Sequence, residues 1–146
     1  MILEILQEGD KKLLKKSKRV DKIDDKIRNI AANMVETMLS ANGVGLSANQ
    51  VGILKRIIVV LVNEEPKVLI NPEIIFESEE NLICEEGCLS FKGQFYNIPR
   101  AKEVTVKYRN LSGHPMLETH TEMVARCLLH EIDHLNGIIF KTYLDT

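Results

Sequence analysis

Seven consecutive residues, RIIVVLV from Arg56 to Val62, carry six aliphatic side chains in an unbroken row. A β-branched run of this kind has no polar face, so it reads as a buried strand. With 146 residues, 45% of them hydrophobic and 27% charged, the chain is long enough to bury a core. No internal repeat, low-complexity tract or Pro/Ser-rich linker interrupts it, so residues 1–146 are expected to form a single domain.

Other elements are set around that strand. Between Lys22 and Leu39, Ile23, Ile27, Ile30, Met34 and Met38 recur at spacings of three and four, which predicts an amphipathic N-terminal helix stopped near Asn42 and Gly43. KVLINPEIIFE predicts a second strand, interrupted at Asn71 and Pro72. EVTVKYR, Glu103 to Arg109, alternates with Val104, Val106 and Tyr108 on one face, and MLETHTE after the turn NLSGHP can pair with it as a hairpin. From Glu122 to Asn136, Met123, Cys127, Leu128 and Ile132 restore a helical period, with Gly137 as the stop. Helices flanking several short strands indicate an α+β fold rather than alternating βαβ units.

A net charge of −2 gives no electrostatic reason to expect nucleic acid or an anionic membrane as partner. The basic stretch from Lys11 to Arg19 is followed at once by acids and reads as a solvated face. No run approaches the ~20 apolar residues of a membrane span, and the N-terminus lacks the pattern of a signal peptide. Three cysteines, an odd number, fit a reducing cytoplasm better than a disulfide framework.

Three stretches carry chemistry. In LLHEIDHLNG, His130 and His134 stand four residues apart on one helical face, so their rings can converge on a divalent ion. Glu131 is placed to act on a water held by that ion rather than to bind it. A catalytic site of this type needs a third protein ligand, and the twelve residues after His134 include Asp145 but no Glu, His or Cys. The ligand is therefore expected from upstream. The second stretch, EEGCLS, is a non-helical, Gly-containing segment that could present Cys88, although Cys84 and Cys127 are rivals that composition does not separate. The third, GVGLSANQ from Gly43 to Gln50, permits close backbone approach at its glycines and offers the Gln50 amide to a developing oxyanion.

In order and spacing, GVGLSANQ, EGCLS and HEIDHLNG resemble the three signature motifs of the peptide deformylases, and RIIVV, VLINPEI and the late hairpin resemble the same family. The resemblance extends over nearly the whole chain. It implies short, mostly antiparallel strands packed around a C-terminal metal-binding helix. It also implies that Cys88, His130 and His134 hold one divalent ion, usually Fe²⁺ in the cell, with Zn²⁺, Ni²⁺ or Co²⁺ able to substitute. The implied reaction removes the N-formyl group from the initiator methionine of new polypeptides and releases formate. Glu131 would be general base and acid, and the Gln50 side chain and Leu89 backbone N–H would stabilise the oxyanion. Val44, Met123 and Cys127 are candidates for the methionine slot, with Gly43 and Gly45 aligning the peptide backbone. Asp133 and Glu86 are candidates for orienting the ligands, and Arg100 for pairing with one of them. The implied partners are N-formylmethionyl nascent peptides met at the ribosome exit, and the implied compartment is the bacterial cytoplasm. Ser47 departs from the alanine common in the first motif, Leu129 from glutamine and Lys92 from proline. Two rival readings of the residues are a generic zinc peptidase and a structural metal site without turnover.

Overall fold

The computed structural model describes residues 1–145. Its helices are α1 (Asp25–Ser40) and α2 (Glu122–Leu135), and its strands are β1 (Gly45–Ser47), β2 (Ile57–Val62), β3 (Glu65–Glu77), β4 (Asn81–Cys88), β5 (Phe91–Ala101), β6 (Glu103–Arg109) and β7 (Pro115–Thr121). Short 3-10 turns cover Lys11–Leu14, Ala48–Val51 and Phe140–Asp145. The fold is α+β, as expected.

Five strands form one antiparallel sheet in the order β1-β2-β3-β6-β7, and β4 pairs with β5 in a separate two-stranded sheet. The RIIVVLV run lies second in the larger sheet and is buried on both faces. Ile58 and Val60 pack with Leu128, Ile132 and Leu135 of α2, whereas Ile57 and Val59 pack with Ile27, Met34 and Met38 of α1. This explains why the run does not alternate: each face has its own helix to meet.

Helix α1 starts three residues later than the apolar period suggests. The Asp24 carboxylate accepts a hydrogen bond from the Ile27 backbone N–H and caps the first turn. At the other end Asn42 takes the left-handed conformation, with φ 56°, and the Gly43 N–H returns to the Met38 carbonyl. The predicted interruption at Asn71 and Pro72 is a register shift inside one long strand. Asn71 has φ 53°, and its side chain bonds the backbone of Val20 in both directions.

EEGCLS is non-helical, as expected, and its residues up to Cys88 belong to the β4–β5 hairpin, an element the sequence reading did not assign. Gly87, Gly93 and Pro99 blur its alternation. Because the sheet has only two strands, both are edges, and an edge tolerates a proline. A third apolar cluster, Leu13, Phe91, Ile98 and Phe140, anchors this hairpin to both chain ends.

The turn joining β2 to β3 has two residues, Asn63 and Glu64, with φ 52° and 66°. Such a turn favours Asn-Gly, and a left-handed non-glycine residue costs ~1–2 kcal/mol. Glu64→Gly is therefore expected to raise stability by about 1 kcal/mol, read as a higher urea midpoint at unchanged slope. A lowered midpoint would show that the Glu64 side chain contributes more than its backbone strain costs.

Candidate metal centre and substrate cleft

Helix α2 has three stripes at spacings of three and four. Ala125, Leu128, Ile132 and Leu135 face the large sheet, Arg126, His130 and His134 face the small one, and Met123, Cys127 and Glu131 line a cleft between them. The His130 and His134 rings are 4.9 Å apart, centre to centre. At the end of β4, Cys88 comes to meet them. Its sulfur lies 3.3 Å from His134 Nε2, and one donor atom from each of Cys88, His130 and His134 falls within 4.8 Å of the others. Cys84 and Cys127, the rival cysteines, lie outside this group, which is the only such trio among the described residues.

The surrounding charges fit a cation. Burial alone would depress His130, but the Cys88 sulfur, Glu131 and Glu86 outweigh it and hold the imidazole up at about 10. Burial drives His134 well below its usual range, which keeps it a neutral imidazole able to donate a lone pair. The thiolate and two imidazoles suit a borderline divalent metal.

Orientation of the histidines is set from behind. His130 Nδ1 lies 2.8 Å from Glu86 Oε1 and donates to it, which leaves Nε2 for the cluster. Glu86 in turn accepts from Arg100 Nε at 2.8 Å and from Arg126. Burial alone would raise the Glu86 carboxyl, yet His130 and Arg100 bring it down to about 2. Arg100 also reaches Asp133 at 2.7 Å, so it joins both acids and is no surface residue. Asn49 donates from Nδ2 to the His134 carbonyl at 2.7 Å.

Glu131 is buried, its Oε1 has no hydrogen-bond partner, and burial pushes its carboxyl up to about 7. The Gln50 side chain is buried as well. Its Oε1 accepts from the Ser47 backbone N–H at 3.0 Å, while Nε2 donates to Ser90 Oγ at 3.1 Å and lies 3.5 Å from Cys88 Sγ. Leu89 follows Cys88 at the β4–β5 turn.

A cleft of about 450 Å³ opens over these groups, and Gly43, Val44, Gly45, Leu89, Met123 and Cys127 all line it. Val44 and Met123 stand at its mouth, 59% and 62% exposed. The sequence reading missed Phe95, which lies across from Gly87, and Arg126. Arg126 carried a usable signal. It stands four residues before His130 on the inward stripe, where a buried guanidinium requires an acid. Leu129, by contrast, is a packing residue of the sheet-facing core, and Lys92 is exposed at the cleft. A cavity of about 460 Å³ on the other flank of α2, around Arg56, Glu73, Arg100 and Asp133, contains no histidine or cysteine.

The Polypeptide deformylase family model matches residues 2–146. The chain belongs to that family. It is 43% identical to the peptide deformylase of Synechocystis sp., covering 98% of this chain and 79% of that one. It is 47% identical to the peptide deformylase of Hamiltonella defensa, covering 98% and 85%. The crystal structure of peptide deformylase from Thermotoga maritima superposes with a TM-score of 0.96 at 40% identity, over 98% of this chain and 97% of that one. A peptide deformylase from Synechococcus elongatus, solved in complex with actinonin, gives 0.94 at 41% identity over 97% and 78%. The activity is therefore metal-dependent removal of the formyl group from nascent peptides, and the generic peptidase reading gives way to it. No helix among the described residues is long and apolar enough to cross a membrane.

At Gly45 β1 runs close against α2. A Cβ there would lie 2.5 Å from Cys127 Sγ and 2.7 Å from Glu131 Oε2. Gly45→Ala is expected to destabilise the fold by about 1–3 kcal/mol through overpacking. Adding Cys127→Ala should recover part of that loss in urea unfolding, since it removes the nearer obstacle. A double variant no better than the single one would place the strain elsewhere.

Proposed function

We propose that Cys88 Sγ, His130 Nε2 and His134 Nε2 hold one divalent ion, Fe²⁺ in the cell, with Zn²⁺, Ni²⁺ or Co²⁺ able to replace it. The convergence of these three donors beside an unpartnered Glu131 oxygen is the observation that carries the reading. When bound, the ion supplies Lewis acidity, lowering the pKa of a water towards ~7 and polarising the formyl group.

The remaining chemistry belongs to the chain. Glu131 Oε1 takes the proton from the attacking water and returns it to the leaving amine nitrogen. A carboxyl near neutrality suits both transfers. The Gln50 Nε2–H and Leu89 backbone N–H donate to the oxygen that gains charge as the formyl carbon becomes tetrahedral. β1 is an edge strand, so the backbone around Gly43 and Gly45 can align the peptide as an added strand, with Val44, Met123 and Cys127 receiving the methionine side chain. The substrates are N-formylmethionyl chains leaving the ribosome in the bacterial cytoplasm, and one catalytic domain performs the whole reaction. The bacterial relatives support that setting.

Glu131→Gln should retain about one metal ion per chain while formate release falls by roughly 10²–10⁴-fold. A near wild-type rate would remove Glu131 from its role. Elemental analysis of anaerobically purified protein should find iron, and admission of air should inactivate that form through oxidation at the thiolate site. Zinc in the active anaerobic sample would overturn the choice of iron.

A further inference from the structure

We propose that β7 is a docking edge for a second copy of this chain. The two β7 strands pair antiparallel about a twofold axis at Thr119 and join their five-stranded sheets edge to edge.

β7 closes one side of the large sheet, and only β6 runs beside it. Two hydrogen bonds fix which of its backbone groups turn away. The Asn110 N–H donates to the His114 carbonyl at one end of the β6–β7 hairpin, and the Glu122 N–H donates to the Lys102 carbonyl at the other, at 3.1 and 2.8 Å. Bonded and non-bonded pairs alternate along an antiparallel ladder, so Met116, Glu118 and His120 bond towards β6. The N–H and C=O groups of Leu117 and Thr119 therefore point outward, together with the Thr121 N–H. Among the described residues no backbone group outside the ladder pairs with them. Exposed edges are commonly blunted by lysines, bulges or prolines. PMLETHT has no lysine or arginine, its register against β6 runs without a shift, and its proline is its first residue. Leu117 stands 64% exposed on it.

The charge pattern of the strand fits a copy of itself. With the outward groups on odd-numbered residues, a symmetric self-pair can centre on Leu117, Glu118, Thr119 or His120. Centred on Glu118, each carboxylate meets its own copy. Centred on His120, Glu118 meets the partner's Glu122, and centred on Leu117 it meets the partner's Met116. Only the axis at Thr119 sets Glu118 opposite the partner's His120 in both halves, with Thr119 opposite itself and Leu117 opposite the partner's Thr121. Glu118 and His120 then occupy non-bonded pairs, where opposed side chains come closest and a carboxylate against a carboxylate would destabilise. Within one chain Glu118 already lies 3.1 Å from His120 Nε2 and 2.8 Å from Lys67 Nζ. The Glu118 and His120 side chains are 20% and 18% exposed, at the rim that an added strand covers. The other edge of the sheet, β1, borders the cleft, so pairing at β7 does not occupy it.

A contact of one strand on one strand belongs to the small, weak class of interfaces. Sedimentation of the metal-loaded enzyme should therefore show the mean mass rising from one chain towards two between about 1 and 500 µM. Thr119→Lys and Thr119→Asp each set like charges face to face across the axis, and each should stay a single chain over that range. An equimolar mixture of the two should recover the dimer, because opposite charges then meet. Formate release per chain should be unchanged in both variants, since Thr119 Oγ1 bonds only Thr105 Oγ1 on an exposed face. A wild-type chain that stays single at every concentration would overturn the proposal, as would a dimer that Thr119→Lys leaves intact. Variants that remain single when mixed would overturn the axis at Thr119 and the proposal with it.

Discussion

Glu86 is the joint between two separately built parts of the site. It stands on β4 two residues before Cys88, so the alternation of the strand turns both side chains inward. Its carboxylate meets His130 and Arg126 from α2 and Arg100 from β5, all buried. Arg126 also donates to the carbonyls of Leu82 and Ile98, which fastens the helix to both strands of the hairpin. An acid in such a place cannot lose one partner cheaply, because breaking a buried charged network leaves an uncompensated ion worth ~3–5 kcal/mol. The hairpin presenting the thiol and the helix presenting the imidazoles are held in one geometry by this carboxylate. The packing of either element alone does not do so.

The helix can serve the site because it is buried all round and still divides its labour. One stripe supplies apolar contact with the large sheet, a second supplies imidazoles and a guanidinium to the hairpin, and a third borders the cleft. Three faces at 3.6-residue spacing leave no solvent-facing surface in the middle of α2, which is why polar residues there must be paired. Gly45 lets β1 approach the third stripe closely enough for Glu131 to reach the cleft floor. The β1 edge, the helix and the hairpin thus bound the cleft that Glu131, His130 and Cys88 line.

The legible and illegible features differ in the range of the interactions behind them. The His130–Glu131–His134 arrangement was legible because i and i+4 positions are neighbours within one helix, whatever surrounds it. The buried strand at Arg56–Val62 and the alternating strand at Glu103–Arg109 were legible for the same local reason. The β4–β5 hairpin was not, since glycines and a proline are tolerated on two edge strands and erase the alternation by which a strand is recognised. Arg100 was expected to pair with Glu86 or Asp133, but that it joins both was not legible, because they lie 14 and 33 residues away.

By itself the sequence determined the α+β class, the helix bearing two imidazoles and an acid, and, through linked motifs, the family. The first two follow from periodicity and spacing, which depend on residues a few positions apart, and the family from the resemblance of three motifs. The resemblance named Cys88 as the cysteine that joins the histidines, and the tertiary structure brings it to them; only that structure decided which end of the Gln50 amide faces them and what fixes the His130 ring. Each of those outcomes depends on groups brought together from distant parts of the chain, and their burial and charge balance arise only when the two sheets close on the helix.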